Sequence, residues 1–166
     1  MRRRDERGVV AVEFALVLPL MLILLFGVTT TGLAYSDHLS ATNAVREAAR
    51  YGAAADITSS GWASSVRDRL QQVYFNEGET VTDDQICVRL VQAGGATHSG
   101  SEHVGANCGT APVLPASMAP GSCAVLVWMQ RPETIELLVF PSLDFDIHAE
   151  SVAYYGRKAQ PTCTAS

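Results

Sequence analysis

Residues 8–20 read GVVAVEFALVLPL, and Glu13 is the single charge in a run otherwise suited to lipid. Seven residues precede it, MRRRDER, holding four of the chain's twelve Lys and Arg. From Phe14 to Ser36 the chain carries no charge. As a helix rising about 1.5 Å per residue, that run is roughly 34 Å long. A bilayer core is about 30 Å thick, so the run can cross it. Arginines lie before it and Asp37 follows it, so the positive-inside bias puts the N-terminus in the cytoplasm and the remainder outside. Pro19 removes one backbone hydrogen bond and is expected to kink or loosen the helix. Gly27 and Gly32 leave room for a second helix to approach.

The helical pattern continues past the lipid-like part. In HLSATNAVREAARYGAAA, residues 38–55, alanine dominates and no proline intervenes. Leu39, Ala41, Ala44, Val45, Ala48 and Gly52 recur near helical spacing, and Arg46, Glu47 and Arg50 share the other side. One long helix from Val9 to about Ala54 is expected. DITSSG breaks it, and Ser59 or Ser60 can cap a second helix. Trp62, Val66, Leu70 and Val73 make one apolar face of that short helix. NEGETVTDDQ ends it.

Then the period changes from helix to strand. In QICVRLVQA, Ile86, Val88 and Leu90 fall on one face and Cys87, Arg89 and Val91 on the other. Residues 94–121 are rich in Gly, Ser, Ala and Pro and read as a long surface loop. CAVLVWMQRP, apolar on both faces, reads as a central strand. ETIELLVFPSL fits either a short helix or an extended link. DFDIHAESVAYYGR reads as a third strand, and the tail as coil. The fold class is α+β: a long N-terminal helix, a short second helix and a small antiparallel sheet of about three strands. So small a sheet needs a cover, and the outer half of the long helix can supply it. The chain divides into 1–8, a membrane half-helix 9–36, an outer half-helix 37–55 and an extracytoplasmic domain 56–166.

Net charge is −5 and apolar residues make up 48%. The few basic residues give no nucleic-acid surface. Cys87, Cys108, Cys123 and Cys163 all follow the apolar run, and no pair has CxxC spacing. An even number in a small exported domain suggests two disulfides. Four cysteines allow three pairings, which sequence alone does not choose. If the strands form a meander, Cys163 comes near Cys123, leaving Cys87 with Cys108.

Sites for chemistry are scarce. His98, Glu102, His103 and Cys108 share the loop, but their spacing fits no compact zinc motif, and solvated loop residues are the better reading. His38 and His148 read as structural. Asp83, Asp84, Asp144 and Asp146 lack the EF-hand pattern for calcium. No G-x-S-x-G, Walker loop or GxGxxG occurs. Trp62, Trp128, Tyr154 and Tyr155 fit packing better than a binding patch. No enzyme, cofactor or metal site is expected.

Glu13 returns as the informative residue. A carboxylate in lipid is costly, about 2.5–3.5 kcal/mol at mid-membrane on insertion scales, though less near the edge. If the chain is cut after Gly8, Val9 bears an ammonium and Glu13 lies in the first helical turns, where the helix dipole favours a negative charge. Pairing with a neighbour's ammonium would set axial register.

The basic head ending in Gly8, Glu13 followed by Phe14, the Leu18–Pro19 pair and AVREAARYGA at 44–53 together resemble the TadE-like proteins of tight-adherence (Flp) pilus systems. The resemblance is carried by roughly the first 55 residues. It implies a pilin-like subunit, a minor pilin or pseudopilin, whose leader a prepilin peptidase removes between Gly8 and Val9. It further implies other pilin subunits, a membrane assembly platform and the lipid bilayer as partners. Two other readings compete. One is a secreted binding domain cut before Tyr35, where Gly32 and Ala34 make a small-x-small site. The other is an uncleaved, signal-anchored receptor or sensor domain.

Overall fold

A computed structural model describes residues 5–57, 61–76, 78–93, 97–116, 118–119, 122–135 and 142–155 of the chain. Among the described residues, two helices and four strands follow one another: α1 (Asp5–Ala54), α2 (Trp62–Asn76), β1 (Ile86–Gln92), β2 (Thr97–Val104), β3 (Cys123–Ile135) and β4 (Leu143–Tyr155). The class is α+β. A 3-10 turn at Asp83–Gln85 leads into β1. The chain separates into two compact units, Met1–Ser36 and Asp37–Ser166.

The first unit is the inner part of α1. The helix continues through Pro19, which supplies no amide hydrogen. Its apolar side chains point outward: Val10, Phe14, Leu16 and Val28 are each more than 60% exposed. No part of its most apolar window is buried within the molecule. A core helix of a soluble protein would hide that surface, and this one leaves it for lipid or for other helices. Thr29, Thr30 and Thr31 turn their hydroxyls back onto the carbonyls of Leu25, Phe26 and Gly27 at 2.7–2.9 Å. Each hydroxyl is thereby satisfied inside the helix.

The second unit is built on one antiparallel sheet in the order β2-β1-β3-β4. β3 is central and apolar on both faces, pairing with β1 from Ile86↔Met129 to Gln92↔Cys123 and with β4 from Cys123↔Tyr155 to Ile135↔Leu143. The sheet has four strands where the sequence suggests about three. The addition is β2, which lies within the segment read as a long loop. THSGSEHV lacks apolar alternation because β2 is an edge strand. Its ladder with β1 shifts register between Arg89 and Val91, a local irregularity that no hydrophobic period announces. The ambiguous ETIELLVFPSL begins as the end of β3, with Glu133, Thr134 and Ile135 paired to β4.

The outer part of α1 and α2 cover one sheet face. Ala41, Ala44, Val45, Ala48 and Ala49 pack with Val66, Leu70 and Tyr74 of α2 and with Val88, Val125, Val127 and Met129. Small helix residues permit this approach. A methyl added at Gly52 would meet Val66, Val125 and Trp62 at 2.9–3.3 Å. The Trp62 indole donates to the Gly52 carbonyl at 3.1 Å. Leu39, counted in the helix stripe from its spacing, is 45% exposed and lies off the buried face. α1 begins at Asp5, four residues before the start expected from the sequence. Ser59 and Ser60, the candidate caps of α2, lie outside the described residues.

The other sheet face carries a smaller core of Cys87, Val91, Ala124, Leu126 and Trp128, covered by Cys108, Ala111, Leu114 and Met118 from the segment after β2. Trp62 and Trp128 are buried, and Tyr154 is exposed.

Candidate assembly segment and its outer domain

Gly8, Val9, Glu13, Phe14 and Pro19 all lie on α1, and all are exposed. Glu13 stands between Val12 and Phe14, which are 61% and 65% exposed. It follows Val9 by four residues, about one turn, so the two face the same side of the helix. Nothing lies within 4 Å of where a Cβ on Gly8 would sit, and the same holds for Gly27 and Gly32. The fold therefore places no demand for glycine at these positions. Ile23, Leu24, Gly27, Val28 and Gly32 line a shallow apolar groove of about 560 Å³.

In the outer domain Cys87 and Cys108 form a disulfide that spans 21 residues, with Cα atoms 5.8 Å apart. It pins the segment after β2 to β1. The Gly105 amide adds a bond to the Ile86 carbonyl at 3.0 Å, and the Asn107 amide one to the Asp84 carbonyl at 2.7 Å. Cys123 is also disulfide-bonded. Cys163 lies outside the described residues.

Several titratable residues of the outer domain are tied into ion pairs. Arg131 reaches Glu79 at 2.6 Å and the Thr80 carbonyl at 3.1 Å, pairs with Glu133, and lies over the Tyr74 ring. Asp37, the first acidic residue beyond the apolar run, is held above the usual carboxylate range, first by burial and then by the nearby Glu79. Burial likewise raises the Tyr74 phenol. Asp84 is held below the usual range by hydrogen bonds from Thr82 and Asn107.

Among the described side chains, the loop residues are engaged separately. Glu102 pairs with Arg89 at 3.2 Å, His103 Nε2 contacts the Asp83 carbonyl at 2.9 Å, and Cys108 is in the disulfide. The His98 side chain is not among those described. Asp83 pairs with Arg67, and Asp144 accepts from Thr134. Among the described residues no three His, Cys, Asp or Glu side chains form a metal-holding group. His38 is exposed on α1, and His148 approaches Glu150 on β4 at 3.5 Å.

Gln85, Asn107, Gln130, Pro132 and Asp146 line a polar cleft of about 430 Å³ beside the bridged segment. Sequence reading missed this cleft, because its residues come from four separate stretches that only the sheet brings together.

Comparison with curated proteins finds no match, and neither does comparison with solved structures. The stretch that holds Gly8, Glu13, Pro19 and the small-residue stripe, residues 8–50, matches the family model described as TadE-like protein, and this segment of the chain is TadE-like.

Proposed function

We propose that the chain is a pilin-like structural subunit, a minor pilin or pseudopilin, that takes part in assembly of a tight-adherence pilus and catalyses no reaction. The observation that carries this reading is the TadE-like segment, which begins at Gly8 and lies on a helix whose first part, up to Tyr35, leaves its large apolar side chains exposed. In this reading the inner part of α1 sits in the cytoplasmic membrane, with the basic head inside and the outer domain outside. A prepilin peptidase cuts between Gly8 and Val9. That the fold itself leaves glycine optional at position 8 supports a requirement from outside the molecule, in the protease that reads the leader. The cut frees an ammonium at Val9, one turn from Glu13. Charge pairing between Glu13 and a neighbour's ammonium then sets axial register, since a slipped neighbour leaves both charges unpaired in lipid. The partners are that peptidase, other pilin subunits and the membrane assembly platform.

The test is the intact mass and N-terminal sequence of the membrane-extracted protein. A start at Val9 is expected. A start at Met1 or Arg2 would overturn processing, and a start at Tyr35 would make the protein a released soluble domain. Glu13→Ala is expected to insert normally and to lower incorporation into pili. Incorporation at the wild-type level would remove the register role from Glu13.

A further inference from the structure

Six arginines of the outer domain have described side chains, and four are neutralised within it. Arg67 pairs with Asp68 and Asp83, Arg69 with Glu47, Arg89 with Glu102, and Arg131 with Glu79 and Glu133. Arg46 and Arg50 are the exceptions. Both are exposed on α1, four residues apart, and neither has an ion pair among the described residues. Their spacing puts them on one side of the helix. Leu39 and Tyr51 nearby are 45% and 42% exposed. The outer domain thus presents a basic stripe with apolar flanks, turned away from the sheet that α1 covers.

A group of acids lies on the opposite side. Asp144, Asp146 and Glu150 are exposed on β4 and share a strand face, because residues two apart point the same way. That face is the one away from α1. Val152 on it packs with the Trp128 cluster, whereas Phe145, Ile147, Ala149 and Ala153, on the alternate positions, join the core beneath α1. None of the three acids has an arginine ion pair among the described residues. Asp144 accepts a hydrogen bond from Thr134, and Glu150 approaches His148 at 3.5 Å. Tyr154, on the same face, is 54% exposed.

We infer that the Arg46/Arg50 stripe of one copy docks on the Asp144/Asp146/Glu150 face of a second copy. The inference goes beyond the subunit reading by naming the contact between outer domains, and it rests on that reading only for a second copy as the occupant. Charge complementarity selects the occupant: Arg46 and Arg50 lie on one side of the domain, and Asp144, Asp146 and Glu150 lie together on the other. Two different patches in contact make a heterologous interface. Each copy keeps one patch free after the first contact, so the arrangement propagates as an open series and does not stop at a pair. Exposed Leu39, Tyr51 and Tyr154 would supply the apolar part of the contact, and the charges its orientation.

Charge reversal on the full chain in detergent tests this. Arg46→Glu/Arg50→Glu has two acidic patches, and Asp146→Lys/Glu150→Lys has two basic ones. Each variant alone is expected to lose self-association by about tenfold or more in sedimentation, because like charges then face each other. Mixing the two is expected to restore association, since each patch again meets its opposite. The restored association should weaken from 0.1 M to 0.5 M salt, unlike contacts between apolar helices. Rescue on mixing excludes misfolding of either variant as the cause of its loss. Undiminished association of either variant alone, or no rescue, overturns the contact. Loss of binding of Arg46→Glu/Arg50→Glu to anionic vesicles, with no rescue by the second variant, would assign the stripe to lipid headgroups and equally overturn it. The result is separable from leader processing. An N-terminus at Met1 with full rescue removes the peptidase step and keeps the contact, while a start at Val9 without rescue does the reverse.

Discussion

At the residue scale, single positions are constrained by what touches them. A Cβ on Gly105 would collide with the Asp84 and Ile86 carbonyls, which are backbone atoms held in a hydrogen-bonded turn and unable to rotate aside. Gly105→Ala is therefore expected to destabilise the outer domain by at least about 1–3 kcal/mol, the usual range for overpacking. Denaturant unfolding followed by tryptophan fluorescence measures it, since both tryptophans, Trp62 and Trp128, lie in that domain. Asp37 and Asp84 bring opposite pH dependences. Asp37 has a raised value, so its favourable contribution is complete below the ordinary carboxylate value and is lost as pH rises through the raised one. Asp37→Asn should therefore raise the melting temperature relative to wild type at neutral pH, with the gain vanishing towards pH 4. Asp84 has a lowered value, so its contribution is present above the ordinary carboxylate value and is lost as pH falls through the lowered one. Asp84→Asn should lower the melting temperature at neutral pH and make no difference in strong acid.

At the element scale, the outer part of α1 and the segment after β2 are held by different means. α1 is held by small residues against the sheet. Gly52→Val would push Val66, Val125 and Trp62 outward and is expected to cost about 1–3 kcal/mol, visible as a lower unfolding midpoint. The segment after β2 lays Ala111, Leu114 and Met118 on the second core, and it is also anchored covalently. Replacing Cys87 and Cys108 together by alanine is expected to cost about 2–4 kcal/mol, read in the same denaturant experiment. The charges on β4 admit two roles at this scale. Acidic residues on an edge strand discourage uncontrolled strand pairing. They also form the receiving face in the proposed contact, and a repulsive surface that admits only a basic partner performs both roles.

At the scale of the whole molecule, two units ask for two solvents. The apolar side chains of the inner part of α1 are exposed. The outer domain buries two cores of its own, one on each sheet face. Extraction of the full chain from membranes is expected to require detergent, and release by high salt or carbonate alone would show that α1 is not embedded. Arg46 and Arg50, without an ion pair among the described residues, lie on α1 beyond the apolar run, on the side of the helix that is exposed.

Much was legible because its cause is local. An apolar run of helical length, a proline-free alanine-rich continuation and a change from helical to strand period are properties of adjacent residues, and they yielded α1, α2, β1, β3 and most of β4. The Gly8, Glu13 and Leu18–Pro19 pattern lies in the same contiguous stretch, which is why the TadE-like match could be anticipated from it. What tertiary structure alone decided depends on residues far apart. β2 is a strand because β1 offers it a ladder, although THSGSEHV has no period of its own. The Cys87–Cys108 bridge was one of three pairings open to the sequence, the one a meander would leave, and the turn that folds residues 105–108 back onto β1 selects it. Which arginines are neutralised, and that Arg46 and Arg50 are not, depends on which carboxylates the sheet and α2 bring within reach. Charge counting along the chain cannot supply that, because ion pairing is set by distance in space.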